Sequence, residues 1–274
     1  MSTVWVNGEL VDAADASISV FDHGLTVGDG VFETLKSYGG RPFAVRRHLD
    51  RLGTSAAGLG LTAPPPEVLR AAMEEVVAAN GLGDGAVRIT FTGGPGPLGS
   101  ARGDSGPTII VATAPLAPWP PTTGVSVVPW PRNERGAVAG IKTTSYAENV
   151  VALAYALERG GGEAIFLNLV GNVCEGTGSN IFVGVDGRLV TPPLSAGCLA
   201  GVTRALILES GLAVEAEVTT ADLDRCTEAF LASTTREVQP IGQVDGRPLP
   251  SAPGPLTEAA GAAFAAVVAG DIDP

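Results

Sequence analysis

Seventeen residues of this chain are basic, yet only Lys36 and Lys142 are lysines; the others are arginines. Lys142 lies in Gly140-Ile141-Lys142-Thr143-Thr144-Ser145-Tyr146. Arginine stays charged and forms no Schiff base, whereas a lysine amine can be freed to act as a nucleophile or a base. Keeping a lysine here in an arginine-rich chain points to a need for a primary amine. Taken alone, a surface lysine spared by composition bias is the simpler reading. The residues downstream change the balance.

Three features of the chain suit a phosphate. Gly197-Cys198-Leu199-Ala200-Gly201-Val202-Thr203 runs into a helical segment, so free backbone N–H groups and the Thr203 hydroxyl can hold an anion. Ser233-Thr234-Thr235 follows the short apolar strand 229–232 and offers hydroxyl donors. Arg51, on the helix that opens His48-Leu49-Asp50, can clamp a phosphate through two N–H groups. Each also has an ordinary structural reading, as a capped helix, a turn and a surface arginine. A fourth piece is Glu175, a carboxylate in the Gly-rich run 171–182. Beside a pyridine nitrogen, a carboxylate keeps that nitrogen protonated and strengthens the ring as an electron sink. Lysine, acid, phosphate cradle and arginine together are what pyridoxal 5'-phosphate (PLP) demands.

Other chemistries find little support. Gly94-Pro95-Gly96-Pro97-Leu98-Gly99 has GxGxxG spacing after a strand, but its prolines and the following Ser100-Ala101-Arg102-Gly103 open no helix. No P-loop lysine and no GxSxG turn occur. Two histidines, His23 and His48, are too few for a multi-histidine metal site or a Ser-His triad, so no metal is expected. Cys174, Cys198 and Cys226 are an odd number without CxxC spacing, which fits a reducing cytosol. A net charge of −12 argues against nucleic acid, since Arg46-Arg47-His48 and Arg51 are too short a track for a polyanion though enough for one phosphate. No run has the length of a membrane span, and the first residues lack the pattern of a signal peptide. A cytoplasmic enzyme is the expectation.

The elements that must position these groups are mixed. Strands are expected at 4–6, 9–11, 31–38, 86–92, 108–113, 125–129, 164–169 and 180–185. Helices are expected at 48–59, 67–80 with Gly81 as its cap, 146–159, 202–210 and 256–268. The proline-rich stretch 115–121 is the clearest linker. This predicts an α+β (mixed α/β) chain: a smaller domain over 1–116, a linker at 117–122 and a larger cofactor-binding domain over 123–274.

With these motifs in their order, nearly the whole chain resembles the class IV, or fold-type IV, PLP-dependent enzymes. That family includes D-amino-acid aminotransferases, branched-chain aminotransferases and 4-amino-4-deoxychorismate lyases. Segments 21–33, His48-Leu49-Asp50-Arg51-Leu52, Gly140-Ile141-Lys142, 175–182, 199–204 and 233–237 carry the resemblance. It implies a two-domain architecture with the cofactor in the interdomain cleft, and Lys142 as the Schiff-base lysine that shuttles protons. It further implies Glu175 on the pyridine nitrogen and Leu199 against the ring. Arg51, Val202, Thr203 and Thr234 would hold the phosphate, and Tyr146 the 3-hydroxyl. The loop 93–103 lacks the Arg-x-His pair of the best-known D-amino-acid enzymes, and Phe32 stands where they have a tyrosine. Arg102 is then a candidate anchor for the substrate carboxylate, and Lys36 a candidate to face the cleft. The expected partners are small amino acids and 2-oxo acids, and the resemblance implies a homodimer. The expected reaction is ping-pong transamination favouring D-amino acids. The alternatives are a lyase releasing pyruvate and 4-aminobenzoate, and an L-branched-chain aminotransferase.

Overall fold

The computed structural model describes residues 2–274, which form two compact units. The first takes the chain as far as Ala117, together with Ile141–Tyr146 and Asp271–Pro274; the second takes Pro118–Gly140 and Ala147–Gly270. The sequence reading assigned everything after the linker to the second domain. The two short segments instead join the first unit because their backbones are bonded into it. Lys142 O accepts the Phe32 N–H at 3.1 Å, Thr144 N–H reaches Gly30 O at 2.8 Å, and Ala44 N–H reaches Ile272 O at 2.7 Å.

In the first unit come β1 (Thr3–Val6), β2 (Glu9–Asp12), the short α1 (His23–Thr26), β3 (Gly30–Tyr38), β4 (Arg41–Pro42), α2 (Val45–Gly58), α3 (Pro66–Asn80), β5 (Gly85–Thr92) and β6 (Thr108–Pro115). The strands form a six-stranded antiparallel sheet in the order β2-β1-β6-β5-β3-β4. Side chains alternate along β3, so Val31, Glu33, Leu35 and Ser37 share one face and Phe32, Thr34 and Lys36 the other. Val31 and Leu35 pack with Leu49, Leu52 and Ala56 of α2 and with Met73 and Val76 of α3. Their helical spacing is the pattern read from the sequence, although α2 begins three residues before His48. Gly81 ends α3 with φ +55°, as its position after the helix required. The GxGxxG-like segment is a loop that doubles back on itself: a Cβ on Gly94 would lie 1.7 Å from Gly106 O.

The second unit contains β7 (Thr123–Val127), α4 (Ala147–Leu157), β8 (Glu163–Leu167), β9 (Val173–Gly176), β10 (Asn180–Val185), β11 (Arg188–Thr191), α5 (Val202–Glu209), β12 (Ala213–Glu215), α6 (Thr220–Arg225), β13 (Glu228–Ser233), β14 (Glu237–Val244), β15 (Arg247–Pro248) and α7 (Pro255–Gly270). Its strands run in the order β12-β11-β10-β13-β14-β7-β8-β9, with β15 beside β14. β10 is buried along its whole length, and after Asn180 its residues 181–185 are an unbroken run without polar side chains rather than an alternating one.

One buried acid fixes where α7 docks. Glu228 on β13 accepts the Leu256 and Thr257 N–H groups at 3.2 and 2.7 Å and the Thr257 hydroxyl at 2.8 Å. A carboxylate at the positive end of a helix satisfies donors that have no intrahelical partner. Glu228→Ala should therefore lower the unfolding free energy by about 2 kcal/mol, measured by urea denaturation. An unchanged midpoint would show that the cap contributes nothing.

Candidate active site

In the first unit the site begins with a stripe on α2. His48, Arg51 and Ser55 are spaced three and four residues apart, so they line one side of the helix. Facing them from β3 is Glu33, fully buried among the core-facing residues of its strand. Arg51 Nε donates to Glu33 Oε1 at 2.8 Å and its terminal nitrogen to Oε2 at 2.7 Å. His48 Nδ1 donates to Oε2 at 2.6 Å, which requires the proton on that nitrogen. Burial alone would raise the Glu33 carboxyl; Arg51, and after it His48, outweigh burial and hold it down at about 2. Burial pushes His48 below the ordinary imidazole value, with Glu33 opposing.

Ser55, at the far end of the stripe, accepts the Lys142 backbone N–H at 3.2 Å. Lys142 is therefore held from both sides, by α2 through its N–H and by β3 through its carbonyl. Its amine projects over Phe32, with Nζ 4.3 Å from the ring centre. Tyr146, just ahead of α4, meets the edge of the same ring at 5.3 Å. The other face-on neighbour is Arg88 of β5, whose guanidinium carbon lies 3.8 Å from the ring centre while its side chain stays exposed. Arg88 pairs with Thr34 across the strands and so shares the Phe32 and Lys36 face. The sequence reading passed over it, because one arginine in an alternating strand looks like a solvated residue.

Arg102, the expected substitute anchor, is otherwise engaged. It forks onto Asp29 with two contacts of 2.6 Å and donates to the Leu59 and Gly60 carbonyls. Arg102 in turn holds the Asp29 carboxyl below its usual range. Lys36 Nζ sits 4.8 Å from the Tyr38 ring centre on the face that carries Phe32.

In the second unit Glu175 stands on β9, half-buried, and its Oε2 accepts the Leu199 N–H at 2.9 Å. Arg132 lies on the Phe166 ring at 4.0 Å, ties to Glu148 and Asn149, and brings a buried Nε to 3.6 Å from Glu175 Oε1. That Nε has no hydrogen-bond partner. Asn180, which the sequence reading gave no role, closes the other side of the loop: its amide donates to Leu199 O at 2.9 Å. Asn180 also pairs with Ala232 across the sheet, so the turn carrying Thr234 and the 199–201 loop meet at one end of β10.

Gly201 begins α5 with no side-chain cap, leaving the Val202 and Thr203 N–H groups for a ligand to meet. A Cβ on Gly201 would fall 2.0 Å from Asn180 Oδ1, so with the Asn180 amide held on Leu199 O a side chain at 201 would have to displace it. Val202 and Thr203 are buried and Leu199 and Thr234 are half-buried. An uncapped helix start, a buried hydroxyl and a carboxylate beside the same loop fit the phosphate and ring nitrogen of PLP. Cys174 and Cys198 are buried close by; burial pushes both thiols up, Cys198 to about 12, and all three cysteines are free.

Residues 30–244 match the family described as amino-transferase class IV, and the chain belongs to that family. It is 37% identical to a putative branched-chain-amino-acid aminotransferase of Methanocaldococcus jannaschii over 89% of this chain and 88% of that one. It is 33% identical to the D-alanine aminotransferase of Bacillus licheniformis over 93% of each. The Escherichia coli branched-chain amino acid aminotransferase superposes with a TM-score of 0.91 at 28% identity, covering 97% of this chain and 94% of that one. A T.th. branched-chain amino acid aminotransferase, solved with N-(5'-phosphopyridoxyl)-L-glutamate, has a TM-score of 0.88 at 27% identity, covering 98% and 94%. The fold is that of the fold-type IV aminotransferases, a family that works with PLP.

The ion pair inside the first unit should be costly to break. Glu33→Gln leaves Arg51 without its carboxylate in a buried site, and a loss of about 3 kcal/mol is expected. With Glu33 at about 2 when folded against 4.5 as the ordinary value, its contribution is full above about pH 5. It should fade as pH falls from about 4.5 towards 2. His48 titrates lower in the fold than in the open chain, so it too favours the fold above its ordinary value and loses that favour on acidification. Thermal melts across pH 3 to 8 for wild type and Glu33→Gln check both. Parallel curves through the acid range would remove Glu33 as a source of acid sensitivity.

Proposed function

We propose that the protein is a PLP-dependent transaminase that takes the amino group of an amino acid, D-amino acids preferred, and gives it to a 2-oxo acid by a ping-pong cycle. The observation that carries this reading is the Lys142 amine held over Phe32 by a backbone tied to both α2 and β3. Similarity to a D-alanine aminotransferase over 93% of both chains supports the handedness of the donor. A cytoplasmic homodimer belongs to the same reading, and the exposed Val150, Val151 and Leu157 on α4 suit a subunit contact.

PLP, when bound, supplies an aldehyde that joins to amines and a ring that draws electrons from the substrate Cα. Lys142 would be the residue that holds that aldehyde. With the cofactor in place, the Lys142 amine would be the base that takes a proton from the substrate Cα and the acid that gives it back. Glu175 keeps the proton on the ring nitrogen, with Arg132 beside it. Arg51, the Val202 and Thr203 amides, the Thr203 hydroxyl and Thr234 would hold the phosphate. Leu199 packs against the ring, and the Tyr146 hydroxyl serves the 3-oxygen. Phe32 shields the lysine amine from water.

Arg88 fits the substrate carboxylate better than Arg102 does. Its guanidinium lies over the same Phe32 ring as the Lys142 amine and makes a 3.3 Å hydrogen bond to the Thr90 hydroxyl through Nε, whereas Arg102 is taken up by Asp29 and two carbonyls. Lys36, on the same face, adds positive charge for the same group.

The test begins with the visible spectrum of PLP-loaded protein during titration with D-alanine and, separately, L-leucine, with no acceptor present. Loss of the resting band with release of pyruvate is expected for D-alanine. Response to L-leucine alone would transfer the assignment to the L-branched-chain reaction. Pyruvate formed only from 4-amino-4-deoxychorismate would transfer it to the lyase. Lys142→Ala should remove the resting band and slow turnover by at least about 10⁴-fold; full turnover in that variant would end the assignment. Arg88→Leu should raise the KM for the amino acid by about 10- to 100-fold with a smaller change in kcat. An unchanged KM would return the carboxylate to another residue.

A further inference from the structure

The helix that carries His48 and Arg51 has a poor start of its own. Ala44 precedes α2 in a left-handed conformation (φ 54°) and offers no side chain to cap it. The first turn then holds Arg46 and Arg47, positive groups at the positive end of the helix, where they weaken it. The missing cap arrives from more than two hundred residues away. Asp273 Oδ1 accepts the Arg46 backbone N–H at 2.7 Å, and its Oδ2 is held by Arg70 of α3 at 3.0 Å. Ile272 O takes the Ala44 N–H, and Pro274 O accepts from the Arg46 and Arg47 side chains at 3.0 and 2.8 Å. Asp271 fixes the Asp273 backbone in turn, accepting its N–H at 3.0 Å. The segment Asp271–Pro274 thus belongs to the first unit through its contacts with α2 and α3.

We propose that Asp273 is a positioning residue for cofactor phosphate: by capping α2 from outside the helix, it holds the turn on which His48 and Arg51 meet Glu33. This rests on the reading of Arg51 as a phosphate ligand. His48 closes the first turn of α2 and shares Glu33 with Arg51 one turn on, so fraying of that turn loosens the pairing that orients Arg51, and apparent affinity falls by the fraction of time Arg51 is correctly placed. The cap is charge-assisted and reinforced by Arg70, so its loss shifts the frayed population by up to about tenfold. The loss should fall on ligands that use Arg51 and spare those that do not.

Pyridoxal, which lacks the phosphate, separates these cases. Apoprotein of wild type, Asp273→Ala and Asp273→Asn is titrated with PLP and with pyridoxal, and the dissociation constants are compared. In Asp273→Ala the constant for PLP should rise by more than that for pyridoxal, with about tenfold as the upper limit, while that for pyridoxal stays within about twofold. Asp273→Asn keeps an acceptor oxygen for the Arg46 N–H but loses the ion pair, so it should fall between wild type and alanine. If the alanine variant does not fold, the asparagine variant carries the same comparison with a smaller drop in the PLP-to-pyridoxal ratio. A ratio unchanged from wild type overturns the proposal, whether both ligands bind as before or both weaken together. Wild-type protein that takes up no PLP would instead remove the functional reading on which the proposal rests.

Discussion

The buried carboxylate of Glu33 organises the first unit. It sits on the core face of β3, where its neighbours Val31 and Leu35 are apolar, and an unpaired charge there would be costly. Arg51 and His48 neutralise that cost, and in doing so they fix the rotation and height of α2 against the sheet. Ser55 lies on the same stripe of α2, so fixing the helix also fixes the hydroxyl that holds the Lys142 backbone. One ion pair therefore sets both the arginine and the lysine. The second unit reaches a similar end by different means, with Glu175 and Asn180 gripping the two sides of Leu199.

How far the sequence revealed this depended on whether a residue's role was local. Lys142 stood out because lysine is scarce in the chain, and Glu175 because it lies in a glycine-rich run before a strand. Gly197 to Thr203 carried the pattern of a helix start, and α5 begins at Val202. The helices of the first unit followed from apolar spacing, since Leu49, Leu52 and Ala56 are separated by one helical turn. Roles that depend on a distant partner were hidden. Glu33 was visible only as part of a motif, though an acid between Val31 and Leu35 on one strand face was a signal that it must be paired. Arg88 gave no such signal, because its meaning comes from Phe32 on the neighbouring strand. Asp273 gave none either, since its partner Arg46 is more than two hundred residues away.

The division of the chain shows the same limit. A proline-rich stretch marks where the chain leaves the first unit, and that is a composition signal. The return of residues 141–146 to lie along β3 is a matter of backbone pairing, with Val31 opposite Thr143. No periodicity in six residues could announce it. The consequence is chemical as well as topological: the lysine proposed as the Schiff-base residue is fastened to the sheet that presents Phe32 and Arg88.

The three cysteines have a practical consequence. All are buried and free, and burial disfavours the thiolate at each of them. Thiolate is the form that attacks maleimides and iodoacetamides. The native chain is thus nearly silent to thiol-directed reagents, and a single cysteine placed on its surface would take a fluorophore or a spin label without the natural ones being removed first.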